Sequence, residues 1–591
     1  MNWSNNRQIQ GLNPERKNCI LALQFDRYQT NEEREEETLK RILICALAMM
    51  LVLALSVCAA AEEKTYAVKS SGYGGEMDVN VTFDGETLVG VEVVNHHETT
   101  AVSNRAIPVI TERLLAAQTA QVDSVSAATF TSYAIKSAVA SAAKEHGLDY
   151  GEVNFATKGE ESTETPEDVT TGILIVGGGP SGLAAAIAAK ENGAKDVLVI
   201  EKLDILSGNG KFDMNFYDLV NSKAMQEAGI EDSADKFYDD MIGAGNGEAR
   251  TRVWADVEAT TDAWLRSFGV ELDYTYGMRN HMHNAEAYAG EHIQDGMEAH
   301  VAELGVNVRT GVKGVDLIME DKKVVGVVAE QDGKQFNIYA DKVILATGGF
   351  SANKELLAKY APGYEVLQTS NQMGATGDFV PVFEKNGFKL ENMDNIRVFP
   401  YILAVRRDLT GGSAGFLLVN KNGERFIDET AGGLTLGKAL LENKTYYVYD
   451  STNYNANYRL RKHTALGYHV KADTLEELAE KIGVPAENLT ATVETYNKAV
   501  AGEIADPVRA EAGPRPFDAE GPYYAAEVQS AVHMTKGGVG CNELAQVLYE
   551  DGTVVENLYA CGEVTWQSGG YSQSVVFGRV AGEQAAKALA E

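Results

Sequence analysis

The first readable pattern is a block rather than a period. Lys40 and Arg41 precede twenty residues without a charge, Ile42 to Ala61, which end in Ala59-Ala60-Ala61 before Glu62-Glu63-Lys64. A basic start, an apolar middle and a small-residue end predict a secretory signal over 39–61. Residues 1–38 are polar and are read as no part of the mature protein, with translation starting at Leu39. Lipidation at Cys58, within Leu55-Ser56-Val57-Cys58, and an uncleaved anchor are the alternatives, since twenty apolar residues just span a bilayer. Each version places the remaining chain outside the cytoplasmic membrane.

Alternation then takes over. Val79 to Phe83 and Leu88 to Val93 flank Asp84-Gly85, which predicts a hairpin, and Ile107–Gln118 and Ser132–His146 have helical spacing. Together they predict a small α+β unit over 62–154. Its loop Asp123-Ser124-Val125-Ser126-Ala127-Ala128-Thr129 leads at once into a helix. Small residues let a ligand approach the backbone, and a helix start offers free amides to a phosphate. On these grounds alone an ordinary capped helix start is the better reading. Residues 155–171 are polar and acidic and predict a linker.

A continuous apolar run, Gly172 to Val176, enters Gly177-Gly178-Gly179-Pro180-Ser181-Gly182 and then the helical Leu183 to Ala189. A second apolar run, Val197 to Ile200, ends in Glu201, nineteen residues beyond Gly182. This is the Rossmann pattern, in which the glycines bring a pyrophosphate to the helix start and the acid takes ribose hydroxyls. Asp341 to Phe350 and Leu558 to Glu563 return the chain to the sheet, and Val575-Val576-Phe577-Gly578-Arg579 opens a terminal helix. The sheet-forming parts are 172–392 and 532–591, with residues 393–531 inserted between them as a capping domain.

Composition narrows the chemistry. The 591 residues carry 85 acidic and 52 basic side chains, a net charge of −33, which repels phosphate backbones and argues against a nucleic-acid partner. The five cysteines form no Cys-x-x-Cys pair, so iron–sulfur, c-type haem and structural zinc have no visible ligand set. His281-Met282-His283 lacks a third ligand at a telling spacing, and no metal is expected.

Two resemblances rest on these residues. Residues Gly72 to Ala143, with Asn95-His96-His97-Glu98-Thr99 and Asp123 to Thr129, resemble the FMN-binding domain of sodium-pumping quinone reductases and bacterial flavoprotein reductases. The resemblance implies FMN joined covalently to Thr129 by a separate flavin transferase. Ala127 departs from that family's glycine. Residues Gly172 to Glu591 resemble the FAD domain of flavocytochrome c fumarate reductases, urocanate reductases and 3-ketosteroid dehydrogenases. With the Rossmann glycines Gly177, Gly179 and Gly182, this implies non-covalent FAD lined by Ser181, Glu201, Asn209, Gly210, Asp378, Glu563, Ser572 and Gln573. The expected fold class is therefore α/β, a Rossmann-type FAD-binding domain with an inserted α+β capping domain, preceded by a small α+β FMN-binding domain.

The expected activity is transfer of electrons from a membrane or diffusible donor, through FMN and FAD, to a small-molecule substrate with an activated carbon–carbon double bond. The alternatives are a dehydrogenase like the 3-ketosteroid enzymes and a flavin electron carrier without a substrate. The family's arginines are missing from their usual places. Asn420 to Glu429 is followed by Thr430-Ala431-Gly432-Gly433, no arginine occurs between Arg425 and Arg459, and none follows Gly562-Glu563 before Tyr571. The family's His-Pro-Thr is Phe399-Pro400-Tyr401. Trp566, Tyr571, Phe399 and Tyr401 predict a flat, apolar ligand rather than a dicarboxylate, with Tyr401, His533 and Tyr571 as candidate proton donors. Arg406 and Arg407 are read as solvated surface.

Overall fold

The computed structural model describes residues 63–159, 164–212, 216–244, 247–275, 277–284, 289–412, 414–566 and 570–591. The expected signal over 39–61, Cys58 included, lies outside the described residues. Among those described, no helix is long and apolar enough to cross a membrane. Internal contacts divide them into two units, one of 63–67 and Asn80–Val91, the other of Val68–Val79 and Glu92–Glu591.

The smaller unit is a hairpin, contributed by the strands Glu76–Asp84 and Thr87–Asn95. Val81, Phe83 and Leu88 are buried, and Gly85 makes the turn at φ 57°. Phe83 meets Tyr66 edge-on at 6.2 Å.

The larger unit carries two helices after its first strand residues, Thr100–Ala117 and Thr129–His146. The first begins seven residues before the expected Ile107 and carries Pro108 inside it. The lost amide is outweighed by Val102, Ala106, Ile110 and Leu114, buried at helical spacing. The second begins at Thr129 itself, three residues before the expected Ser132.

Five parallel strands lie side by side in the order Asn307–Thr310, Val197–Glu201, Val169–Val176, Lys334–Leu345 and Val554–Ala560. Numbered along the chain, this order is 3-2-1-4-5. The winding reverses beside Val169–Val176, and a crevice opens there at the strand ends. Ile173, Leu174 and Ile175 are fully buried, as a strand covered on both faces requires. The sheet claims the end of the expected linker, because Thr170 and Thr171 pair with Tyr339 and Ala340. Helix Pro180–Glu191 packs on the terminal helix Gly570–Ala590 through glycines. A Cβ on Gly578 would lie 2.3 Å from the Ser181 carbonyl, and one on Gly582 would lie 2.1 Å from that of Ala185.

The cap is built on the long strand Tyr523–Thr535, paired with Thr445–Asp450, Ile396–Leu403, Val470–Ala472 and Gln368–Thr369. Helices Gly433–Glu442, Leu475–Ile482 and Ala486–Val500 supply apolar faces to its cores. The expected boundary between 531 and 532 falls inside Tyr523–Thr535, which runs through it without a break.

Candidate active site

One cavity of about 1200 Å³ runs through the larger unit, above the roughly 300–1,000 Å³ of an ordinary single-ligand pocket. Gly177, Gly179, Ser181, Glu201, Asn209, Gly210, Asp378, Glu563 and Ser572 line one part of it, and Ala127, Ala128 and Thr129 another.

The glycine loop has the shape of a dinucleotide cradle. Gly177 sits at φ 113°, where a side chain is strained, and a Cβ on Gly182 would lie 1.9 Å from the Gly177 carbonyl. A Cβ on Gly179, by contrast, would meet only the Gly208 Cα, at 3.9 Å. The backbone is thus bare where a ligand must come close. Glu201 is buried, and its carboxylate accepts the amides of Gly178 at 2.8 Å and Leu203 at 2.9 Å. The acid at the strand end therefore organises the loop. Asn209 accepts the Gln372 amide at 2.9 Å. Burial raises the Asp378 pKa, but Lys202 at 2.6 Å and Lys313 at 3.0 Å outweigh it and hold the carboxyl below its ordinary range. Glu563 is pushed up to about 6 by burial, against hydrogen bonds from the Thr535 amide and hydroxyl. The Ser572 hydroxyl and the Gln372 side-chain carbonyl are buried without a protein partner and belong to cavity-lining residues, so each has hydrogen-bonding capacity for a ligand. These features fit FAD. Gly182 and Gln573 do not line the cavity: Gly182 packs beneath the loop, and Gln573 is buried in the terminal helix.

The other end fits a phosphate-bearing flavin. Thr129 stands at the first position of its helix, beside the free amides of the first turn. Ala127 has φ 68°, the left-handed conformation that favours glycine, so the departure from the family motif keeps the backbone shape. Glu98 is buried, accepts the Thr131 hydroxyl, and accepts the Gly74 amide at 2.8 Å. Two stretches singled out in the sequence, His96 to Thr99 and Asp123 to Thr129, thus meet at one wall. Asp204 ties this loop to the glycine-rich side, accepting the Ser126 amide and hydroxyl at 2.7 and 2.9 Å and pairing with Arg113 at 2.6 Å. Burial raises its pKa, but these partners outweigh burial and lower it.

The cap side holds what sequence reasoning missed. Arg397, Arg406, Arg407 and Arg459 all line the cavity, so it is not the apolar one expected from the sequence. The two read as solvated surface are wedged in. Arg406 lies 4.0 Å from the Tyr468 ring and 5.0 Å from that of Tyr73, and donates to Thr99 at 3.2 Å. Arg407, at φ 63°, donates to the carbonyls of Thr369 and Asn371 at 3.2 Å each. Arg425, in the motif frame, is held in the cap by Glu429 and Asp506.

His533 and Tyr571 line the cavity and Tyr401 does not. Tyr401 is buried among Phe416 and Tyr447, and its hydroxyl donates to the Glu429 carbonyl at 2.9 Å. Trp566 is likewise away from the cavity, whereas Phe399 lines it. The His533 Nδ1 is 2.9 Å from the Ser370 hydroxyl, and its ring meets Phe399 edge-on at 5.5 Å. Burial first, then Arg397 and Arg459, lower its pKa to about 4. The Tyr571 hydroxyl accepts from the Gln294 side chain at 2.6 Å. His281 and His283 turn to different partners, His281 to Ser222 and the Arg279 carbonyl, His283 to a stack on His292.

The FMN-binding domain family matches residues 72–144, and the FAD binding domain family matches residues 172–574. The chain belongs to this FAD-dependent oxidoreductase family. It is 32% identical over 447 residues to a probable fumarate reductase of Shewanella frigidimarina, covering 71% of this chain and 75% of that protein. It is 29% identical over 571 residues to the urocanate reductase of Eggerthella lenta, covering 88% and 91%. Against the NADH:fumarate oxidoreductase of Klebsiella pneumoniae, 29% identical, the match covers 87% of this chain but only 57% of that protein. Among solved structures, the open conformation of a flavocytochrome c3 fumarate reductase shares 31% identity with a TM-score of 0.64, over 72% of this chain and 79% of that one.

Proposed function

We propose that this protein is an extracytoplasmic FAD-dependent reductase of an activated carbon–carbon double bond, with FMN carried covalently on Thr129. The observation that supports it most is the single cavity joining the Thr129 loop to the glycine cradle and to His533 and Tyr571. FAD is held by the Gly177–Gly182 loop, Asn209, Asp378, Glu563 and Ser572, with Glu201 bracing the loop and free to add a ribose contact. When bound, the flavins supply electrons from an outside donor and, at FAD, the hydride for one alkene carbon. The protein's own task is then to hold the alkene and deliver a proton to the other carbon.

Tyr571 is assigned the proton. The hydrogen bond it accepts from Gln294 stabilises the phenolate left behind. His533, with a pKa of about 4, is neutral at pH 7 and serves as a positioning hydrogen-bond partner. A 3-ketosteroid-dehydrogenase-like reading drew on tyrosines in place of arginines. Of those tyrosines Tyr571 lines the cavity and Tyr401 does not, and the four arginines lining it favour the reductase. The location outside the membrane rests on the 39–61 signal pattern.

The test is anaerobic. Protein coexpressed with a flavin transferase should retain one flavin on denaturation and release one, and Thr129→Ala should lose only the retained one. With reduced viologen as donor it should reduce at least one member of a panel of enoates and enones. Protein that binds FAD yet oxidises reduced viologen with no member of the panel would overturn the reductase assignment.

A further inference from the structure

Behind Tyr571 stand two buried polar side chains that the chemistry described so far does not use. Tyr217, on the strand Tyr217–Asp218, is fully buried; Phe216 and Asp218, on either side of it in the chain, line the cavity, whereas Tyr217 belongs to the core behind. Its ring meets that of Tyr571 edge-on at 5.3 Å. Glu258 is the last residue of helix Glu248–Glu258 and is also fully buried. Among the described residues, the Tyr217 hydroxyl and both Glu258 carboxyl oxygens make no hydrogen bond of ordinary geometry. Burying polar atoms without partners is costly, so three of them in one place call for a use.

The two groups act on each other. Burial raises the Tyr217 pKa, and Glu258 and then Tyr571 raise it further, against Arg579. Burial raises the Glu258 pKa well above the ordinary carboxyl value, and Asp218 adds to this, whereas Arg579 and Tyr217 lower it. The carbonyls at the end of its own helix oppose a negative charge as well. The fold therefore favours Glu258 with its proton on. Arg579 lies about two turns along the terminal helix from Tyr571, and it donates to the Val257 carbonyl at 3.3 Å and the Thr261 hydroxyl at 3.0 Å. A fixed cation thus stands where a carboxylate would form if Glu258 gave its proton away.

Taking Tyr571 as the donor in the proposed alkene reduction, we propose that Tyr217 and Glu258 form a relay that returns the proton to it. The alkene carbon takes a proton from the Tyr571 oxygen. The phenolate takes one from the Tyr217 hydroxyl, and Tyr217 takes that of Glu258. The negative charge moves from Tyr571 to Glu258, near Arg579, and Glu258 then takes a proton from water. One proton enters from water for each one given to the alkene. Both residues act through Tyr571 and touch neither substrate nor flavin. Substrate fills the cavity side of Tyr571 during turnover, so the proton is returned from behind.

The test separates the first turnover from later ones. Holoprotein with reduced FAD and excess reduced viologen is mixed with whichever member of the enoate and enone panel wild type reduces fastest, methacrylate and cyclohex-2-enone among them. In Glu258→Gln and in Tyr217→Phe the first product per FAD should form as in wild type, because Tyr571 still carries its own proton, and later turnovers should be roughly tenfold slower or more. Damaged packing would slow the first turnover as much as the rest. Glutamine copies the neutral acid and phenylalanine keeps the ring contact, so both variants should hold FAD, and FAD content reports folding. Without substrate, infrared spectra of wild type at pH 7 should show a protonated-carboxyl band that Glu258→Gln lacks. Absence of that band, later turnovers at the wild-type rate in either variant, or a first turnover slowed as much as the rest would overturn the relay alone, provided Tyr571→Phe is slow. Wild-type turnover in Tyr571→Phe would remove the donor and the relay together. A wild-type protein that reduces no member of the panel would remove the reductase reading with both.

Discussion

Removing the Glu201 carboxylate should disorder the glycine loop before it affects any ribose contact. In Glu201→Ala two charge-assisted hydrogen bonds disappear, from the amides of Gly178 at 2.8 Å and Leu203 at 2.9 Å. Such bonds contribute roughly 1.5–3 kcal/mol each, so the ordered loop loses about 3–6 kcal/mol. Water entering from the cavity offsets part of this when FAD is absent, and FAD must then order the loop as it binds. Using the lower bound, affinity for FAD should fall about a hundredfold. Glu201→Gln keeps one acceptor but turns an NH₂ toward one of the two amides, so it should fall between wild type and alanine. The assay is fluorescence titration of FAD into protein stripped of it, with hydrogen exchange at Gly178 and Leu203 measured alongside. If Glu201→Ala binds FAD like wild type and both amides stay protected, the carboxylate does not brace the loop and the account of this site is wrong.

Tyr571→Phe keeps the ring and its contact with Tyr217 but removes the acid, so turnover should drop roughly a hundredfold with little change in substrate binding; unchanged kcat would rule Tyr571 out as donor. Ala127→Gly relieves a left-handed alanine and should stabilise the protein by about 1 kcal/mol, read as a rise in Tm, with flavin attachment intact. The His533 pKa of about 4 lies below its unfolded value, so the unfolded chain binds the extra proton first and stability falls as pH drops from about 6.5 to 4. His533→Gln should flatten that part of the stability curve, measured by denaturant unfolding at several pH values; an identical slope would show that the histidine is not held neutral. Asp204→Ala removes three bonds between the Ser126 loop and its neighbours and should lower Tm and expose Thr129 to protease, which limited digestion would detect.

What could be read from the sequence was local. The strand, glycine loop, helix and terminal acid from Gly172 to Glu201 form one contiguous pattern because a nucleotide cradle is built from neighbouring residues, and the same is true of Asp123 to Thr129. The cap arginines had no such pattern. Arg397, Arg407 and Arg459 come from a strand, a hairpin and a helix start, each in ordinary polar surroundings, and only the sheet built on Tyr523–Thr535 brings them together. Tyr401 illustrates the opposite error. An aromatic residue at a motif position looks the same in sequence whether it faces a ligand or a core, and its partners Phe416 and Tyr447 are distant in the chain. Pro108 masked the first turns of its helix, because a proline is ordinarily read as a start.

The adjacent pair Arg406 and Arg407 has a mechanical consequence. One reaches back to Tyr73 and Thr99, beside the Thr129 loop, and the next reaches forward to the carbonyls around Ser370. Any parting of the Tyr73 segment from the cap must therefore pull a guanidinium from between two rings, Tyr73 and Tyr468, at roughly 0.5–1 kcal/mol for each ring. That is enough to shift an open-to-closed ratio several-fold. The Arg406 contacts thus act as a latch between the Tyr73 and Thr99 side of the cavity and the cap, and Arg406→Ala should leave the two parted more of the time.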